Sequence, residues 1–183
     1  MRFTRHRGSV RADLDAVEVM VLTQLTEQLL DLVAAPSVGD DPLAALVGLP
    51  TDDVFPPDDP VLARLLPAAY ADDDQASTDF RRYTDADLRT RKRANAAAVQ
   101  ASLPAGKGRV ELDRDQVDQW LECLNDLRLA LGTALGVTED THPEDVAAEG
   151  DEDDPAREAL EVYGWLGYVQ ESLLSCVEPR TSG

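Results

Sequence analysis

The sequence predicts a mainly helical protein: a compact helical bundle of three long helices plus shorter ones, with a small antiparallel β-sheet. Three observations carry this. Apolar residues recur at three- and four-residue spacing over long stretches, as one buried helix face requires. These stretches are bounded by acidic caps and by Pro or Gly. Two short alternating segments, one N-terminal and one just before the longest amphipathic run, supply the strands.

Residues Arg2 to Asp13 are basic and turn around Gly8, which predicts a hairpin with Phe3 and Val10 facing the core. Asp15 to Ala35 reads as a helix with Leu14, Val21, Leu22, Leu25, Leu29, Leu32 and Val33 inward and Pro36 beyond its end. Glu18 falls inside that face, an odd place for a carboxylate without a partner. Residues 37–60 carry five prolines and several Asp pairs and read as loop, and Val61 to Tyr70 as a short helix interrupted by Pro67. A short turn over Gln75 to Tyr83 is then expected. Thr84 would cap an alanine-rich helix running to Leu103, ahead of Pro104 and Gly106.

Arg109 to Leu112 predicts a strand, and Asp113 to Gly136 the central helix, with Val117, Trp120, Leu121, Leu124, Leu127, Leu131 and Leu135 as its stripe. Gly8, Val10, Asp13, Asp15 and Val17 recur as Gly108, Val110, Asp113, Asp115 and Val117, so two strands, each feeding a long helix, are expected to pair in one sheet. Residues 137–154 hold nine acids and no lysine or arginine and read as an acidic loop. Pro155 opens a last helix to Val177, with Ala159, Val162, Tyr163, Leu166, Val169, Leu173 and Val177 inward. Gly164 and Gly167 within it are either simple tolerated glycines, the commoner case, or marks of close approach by another backbone.

Composition narrows function. The 183 residues suit a single domain, and 36 acidic against 17 basic residues give a net charge of -19. That charge disfavours nucleic acid and anionic membrane. No apolar run approaches bilayer length and the N-terminal arginines precede no apolar h-region, so a cytoplasmic protein is expected. Cys123 and Cys176 stand on separate helices and form neither a metal motif nor a disulfide framework. No catalytic, cofactor-binding or metal site is assigned. His6 and His142 lack spaced partners, the acidic runs lack the alternation of a calcium loop, and Gly106 and Gly108 lack the phosphate-loop pattern.

Two features remain. Ten of the 17 basic residues are Arg2, Arg5, Arg7 and Arg11 near the N-terminus and Arg81, Arg82, Arg89, Arg91, Lys92 and Arg93 around the alanine-rich helix. They either pair with the chain's own acids or form a basic interaction surface if the hairpin packs beside that helix. Arg128 intrudes on the central stripe as Glu18 does on the first, and the two are expected to form a buried ion pair between their helices.

The stretches LNDLRLALGTALGV (Leu124 to Val137), GSVRADLDAVEVMVLTQLTEQLLDL, DFRRYTDADL and YGWLGYVQESLL make the chain similar to an actinobacterial domain-of-unknown-function family, over nearly its whole length. Members of that family are typically encoded beside the ClpS adaptor and near genes for a ubiquitin-like sulfur carrier and its metallopeptidase. The resemblance implies an accessory role in Clp proteolysis or cysteine metabolism and assigns no catalytic residue. The leading expectation is thus a protein-interaction or regulatory module, a monomer or homodimer, with a protein partner and no cofactor. The alternative is a transcriptional regulator that binds DNA through Arg81 to Arg93. A hydrolase would need a pocket holding His6 or His142 beside a nucleophile.

Overall fold

A computed structural model describes residues 1–34, 59–67, 74–137 and 155–177, with the backbone alone for 74–83. The expected loops at 37–60 and 137–154, and His142 within the second, lie almost wholly outside the described residues.

The chain runs β1 (Thr4–His6), β2 (Ser9–Leu14), α1 (Ala16–Leu32), α2 (Pro60–Leu65), α3 (Asp74–Ser102), β3 (Gly108–Leu112), α4 (Arg114–Ala134) and α5 (Pro155–Val177). The three strands form one antiparallel sheet in the order β1-β2-β3. Strands β1 and β2 are joined by the two-residue turn Arg7–Gly8, with His6 opposite Ser9. Both turn residues have positive φ, 45° and 94°, as a hairpin turn that matches strand twist demands; glycine accepts this freely and arginine does not. Alternation along β2 and β3 buries Val10, Ala12, Leu14, Val110 and Leu112 on one face.

Strands β2 and β3 pair with each other, and each feeds a long helix as the internal echo predicts. The structural equivalence is two residues out of step with the sequence echo. The N-caps are Asp15 and Asp113, not Asp13 and Asp113, and each closes a capping box: Asp15 with Glu18 and Asp113 with Gln116. Helix α4 ends in a Schellman motif, with Gly136 at φ 67°, its N–H donating to Thr133 O at 3.1 Å and the Val137 N–H to Gly132 O at 2.8 Å.

Helix α4 is the hub, packing against α2, α3 and α5. Its Trp120 is fully buried, meets Phe3 of the hairpin edge to face at 5.5 Å, and donates from Nε1 to Ser102 Oγ at 3.0 Å. The core also takes Leu22 and Leu29 of α1, Leu65 and Leu66 at the end of α2, Ala96 and Val99 of α3, and Leu166, Val169 and Leu173 of α5.

Several expectations need correction. Helix α3 is continuous from Asp74, so Thr84 lies inside it and not at its start; no proline or glycine interrupts residues 74–103, and the preference of Thr for a cap yields to an unbroken helix. The mainly helical architecture with one small antiparallel sheet is as expected, with α1, α3, α4 and α5 as the long helices among the described residues. On α1, Val19 and Thr26 are buried and Val21 is only partly so; on α5, Leu160 and Ser172 are buried and Val177 is exposed. Gly164 faces open space, and at Gly167 it is the Arg128 side chain, not a backbone, that comes near.

Candidate functional site

Helix α3 presents Leu88, Lys92, Asn95, Ala96 and Val99 at helical spacing, so two polar side chains stand within its inward face. They meet polar partners on α4. Lys92 Nζ donates to Asp126 Oδ1 at 2.6 Å, and both side chains are nearly excluded from solvent, at 12% and 6% exposure. Asn95 Nδ2 donates to Glu122 Oε2 at 2.7 Å, which also accepts a looser contact from Arg91 Nε at 3.4 Å. Burial raises the Asp126 carboxyl above the ordinary aspartate range, against the opposing pull of Lys92. Cys123, one turn before Asp126, is buried, and its thiol is pushed up to about 12, first by burial and then by the nearby Asp126 charge.

Three of the six basic residues of α3, Arg89, Arg91 and Lys92, thus meet carboxylates of this chain. Arg89 is buried, paired by Nε to Asp85 Oδ2 at 2.6 Å and donating from Nη1 to Ala34 O at 3.1 Å. Arg91 and Lys92 hold Glu122 and Asp126, while Arg93 is exposed. The side chains of Arg81 and Arg82 lie outside the described residues. The hairpin does not extend this set, because β1 packs against α5, whereas α3 packs against α1 and α4. On the hairpin, Arg5 Nε donates to Cys176 O at 2.5 Å, capping the C-terminal end of α5 where the helix dipole favours a cation. Arg7 is exposed at the turn.

Over the sheet lies an open concavity of about 660 Å³, lined in part by Arg2, His6, Arg11, Asp13, Arg109 and Tyr168. Two of its cations are already matched across strands: Arg11 to Glu111 at 2.9 Å and Arg109 to Asp13 at 2.8 Å. Hydrogen bonds from Arg11 and Ser9 hold the Glu111 carboxyl below its ordinary range.

Glu18 and Arg128 do not pair. Glu18 is the third residue of α1: its Oε2 accepts from the Asp15 N–H at 2.9 Å and its Oε1 from the Met1 amino group. Arg128 turns toward α5, where Nη1 donates to Gln170 Oε1 at 2.8 Å and the guanidinium lies 5.4 Å from the centre of the Tyr163 ring. Its Nε is buried and makes no hydrogen bond. The ring sits close over Gly132, where an added Cβ would lie 3.1 Å from Tyr163 Cε2. A Cβ at Gly167 would lie 3.7 Å from the Arg128 Cζ and Nε.

Sequence reading missed Asp126, Asn95, Tyr163 and Gln170 as polar contacts. A signal existed for one of them, since Asn95 interrupts the apolar spacing of α3, as Lys92 does one turn before it and as Arg128 does on α4.

Fold and contacts define a small, mainly helical protein with one three-stranded antiparallel sheet, in which Lys92–Asp126 and Arg128–Gln170 are polar contacts between helices. The chain belongs to the family described as "Domain of unknown function (DUF2017)", which matches residues 1–177. It is similar to the "Oxidative stress regulator AosR" of Mycobacterium tuberculosis (strain ATCC 25618 / H37Rv), 31% identical over 93% of this chain and 83% of the relative. The protein of the same name from Mycobacterium bovis gives the same identity and coverage. No solved structure matches. Among the described residues, no helix is long and apolar enough to cross a membrane.

Proposed function

We propose that this protein is a cytoplasmic regulatory protein that acts by binding another protein and carries out no catalysis of its own. The observation that carries the reading is the fate of the α3 cations. Arg89, Arg91 and Lys92, which a DNA-binding surface would turn toward phosphates, hold Asp85, Glu122 and Asp126. Phosphate binding needs free cations, and a net charge of -19 adds long-range repulsion. The name carried by the mycobacterial relatives supports a regulatory role. Burial keeps both thiols above their ordinary range, so the reading rests on surface docking rather than on a reactive thiolate. A setting in Clp proteolysis or cysteine metabolism is the finer form of the proposal.

Affinity purification of the tagged chain from its native cytoplasm tests it. Recovery of a stoichiometric protein partner, with Clp or cysteine-pathway components as the finer outcome, is expected. Salt-sensitive retention of DNA that disappears on changing Arg81, Arg82 and Arg93 would replace this reading with the DNA-binding one.

A further inference from the structure

We propose that Arg128 is the anchor of the protein-binding surface and receives a single carboxylate from the partner, flanked there by aliphatic side chains; this rests on the protein-binding reading above. The argument begins with charge balance. Among the described lysines and arginines, the least exposed are Arg11, Arg89, Lys92, Arg128 and Arg157. Four of them have a carboxylate of this chain within 4.0 Å: Glu111, Asp85, Asp126 and Glu161. Arg128 has a neutral amide and an aromatic ring instead, in a chain with 36 acidic residues. Arg11 shares a buried, unbonded Nε but has Glu111; Arg128 has the unbonded Nε and, among the described residues, no counter-charge. A partly desolvated guanidinium without a carboxylate is unfavourable, whereas an apolar side chain of similar length would pack there at no such cost.

The site is also pre-arranged. Tyr163 and Gln170 fix the guanidinium from the α5 side; Gly132 leaves room for the ring, and the guanidinium lies in ordinary contact distance of Gly167. Gly164, one turn from Gly167, has no described atom within 4 Å of an added Cβ. Leu174, 42% exposed, stands one turn beyond Gln170 on the same face of α5. An acidic run would be repelled by a body of charge -19, so the chemistry that fits is one carboxylate among aliphatic groups. A guanidinium donates N–H groups to a carboxylate, and with Nη1 already held by Gln170 the contact has a fixed orientation.

The test uses the full ¹⁵N-labelled chain and follows the Arg128 Nε–H resonance. The probes are a blocked helical peptide with one Glu between leucines at helical spacing, its Gln counterpart, and acetate alone. The Glu peptide is expected to shift the resonance at about 1 mM, with at least ~10-fold weaker effects from the Gln peptide and from acetate. Arg128→Met should abolish peptide binding while leaving the thermal midpoint of the free protein within about 2 °C of wild type, or raising it. Equal binding of the Glu and Gln peptides, an equal response to acetate, no shift at that concentration, or a midpoint lowered by more than this would each overturn the proposal. Capture of a cellular partner equally by wild type and Arg128→Met overturns the Arg128 site and leaves the protein-binding reading standing. Capture of no partner by either overturns both.

Discussion

Replacing Lys92 with methionine keeps most of the side-chain volume and removes the charge that faces Asp126. The pair is nearly dry, with Nζ 2.6 Å from Oδ1 and 12% and 6% side-chain exposure. Loss of one partner from such a pair costs about 3–5 kcal/mol, because the other charge is stranded. Against a total stability of roughly 5–15 kcal/mol, that is a large fraction. The exposed Arg91–Glu122 contact, at 3.4 Å with 64% and 51% exposure, is worth at most about 1 kcal/mol, so Arg91→Met is the natural control. The loss should also depend on pH with a definite sign. Asp126 is already raised above the ordinary aspartate value of 3.8 by burial, and Lys92 opposes that rise. Removing Lys92 raises it further. A group raised on folding gives stability that is present at low pH and lost as pH rises through its folded value. The penalty of Lys92→Met should therefore be small near pH 4 and grow toward pH 7. Urea denaturation followed by circular dichroism at pH 4, 5.5 and 7 reads this out. The double variant Lys92→Met with Asp126→Leu should recover most of the loss at pH 7. A penalty below about 1 kcal/mol at pH 7, or one independent of pH, would refute the account of a dry, mutually dependent pair.

Gly108→Ala should destabilise by about 1–3 kcal/mol, because the new Cβ would stand 2.8 Å from the Pro104 Cβ, on a ring that cannot rotate away; chemical denaturation measures it. Ser102→Ala removes the acceptor of the fully buried Trp120 N–H and should cost about 1–3 kcal/mol, with a shifted tryptophan emission as a second readout. In the native protein at pH 8, iodoacetamide should leave Cys123 unmodified, since its thiol is buried and pushed up to about 12, and should label it on unfolding; peptide mass spectrometry distinguishes the two states.

How much of this was legible in the sequence follows from which signals are local. The hairpin turn, the Gly136 stop and the strand–cap–helix pairing are written within a few residues, and each appears in the structure. Glu18 was misread although its signal was just as local. Asp15-x-x-Glu18 is a capping box, and the third residue of a helix can reach back to the cap N–H, so its carboxylate needed no partner on α4. The partners of Lys92 and Arg128 are a different case. The spacing reveals that a charge intrudes on an apolar face, but the identity of the group it meets depends on which helix crosses at that height, 34 residues away for Asp126 and 42 for Gln170. Helical phase fixes direction around one axis and says nothing about register against another. That is why two intruding charges with the same one-dimensional signature end differently: Lys92 against a carboxylate of its own chain, and Arg128 against an amide and a ring, with its charge unanswered within the described fold.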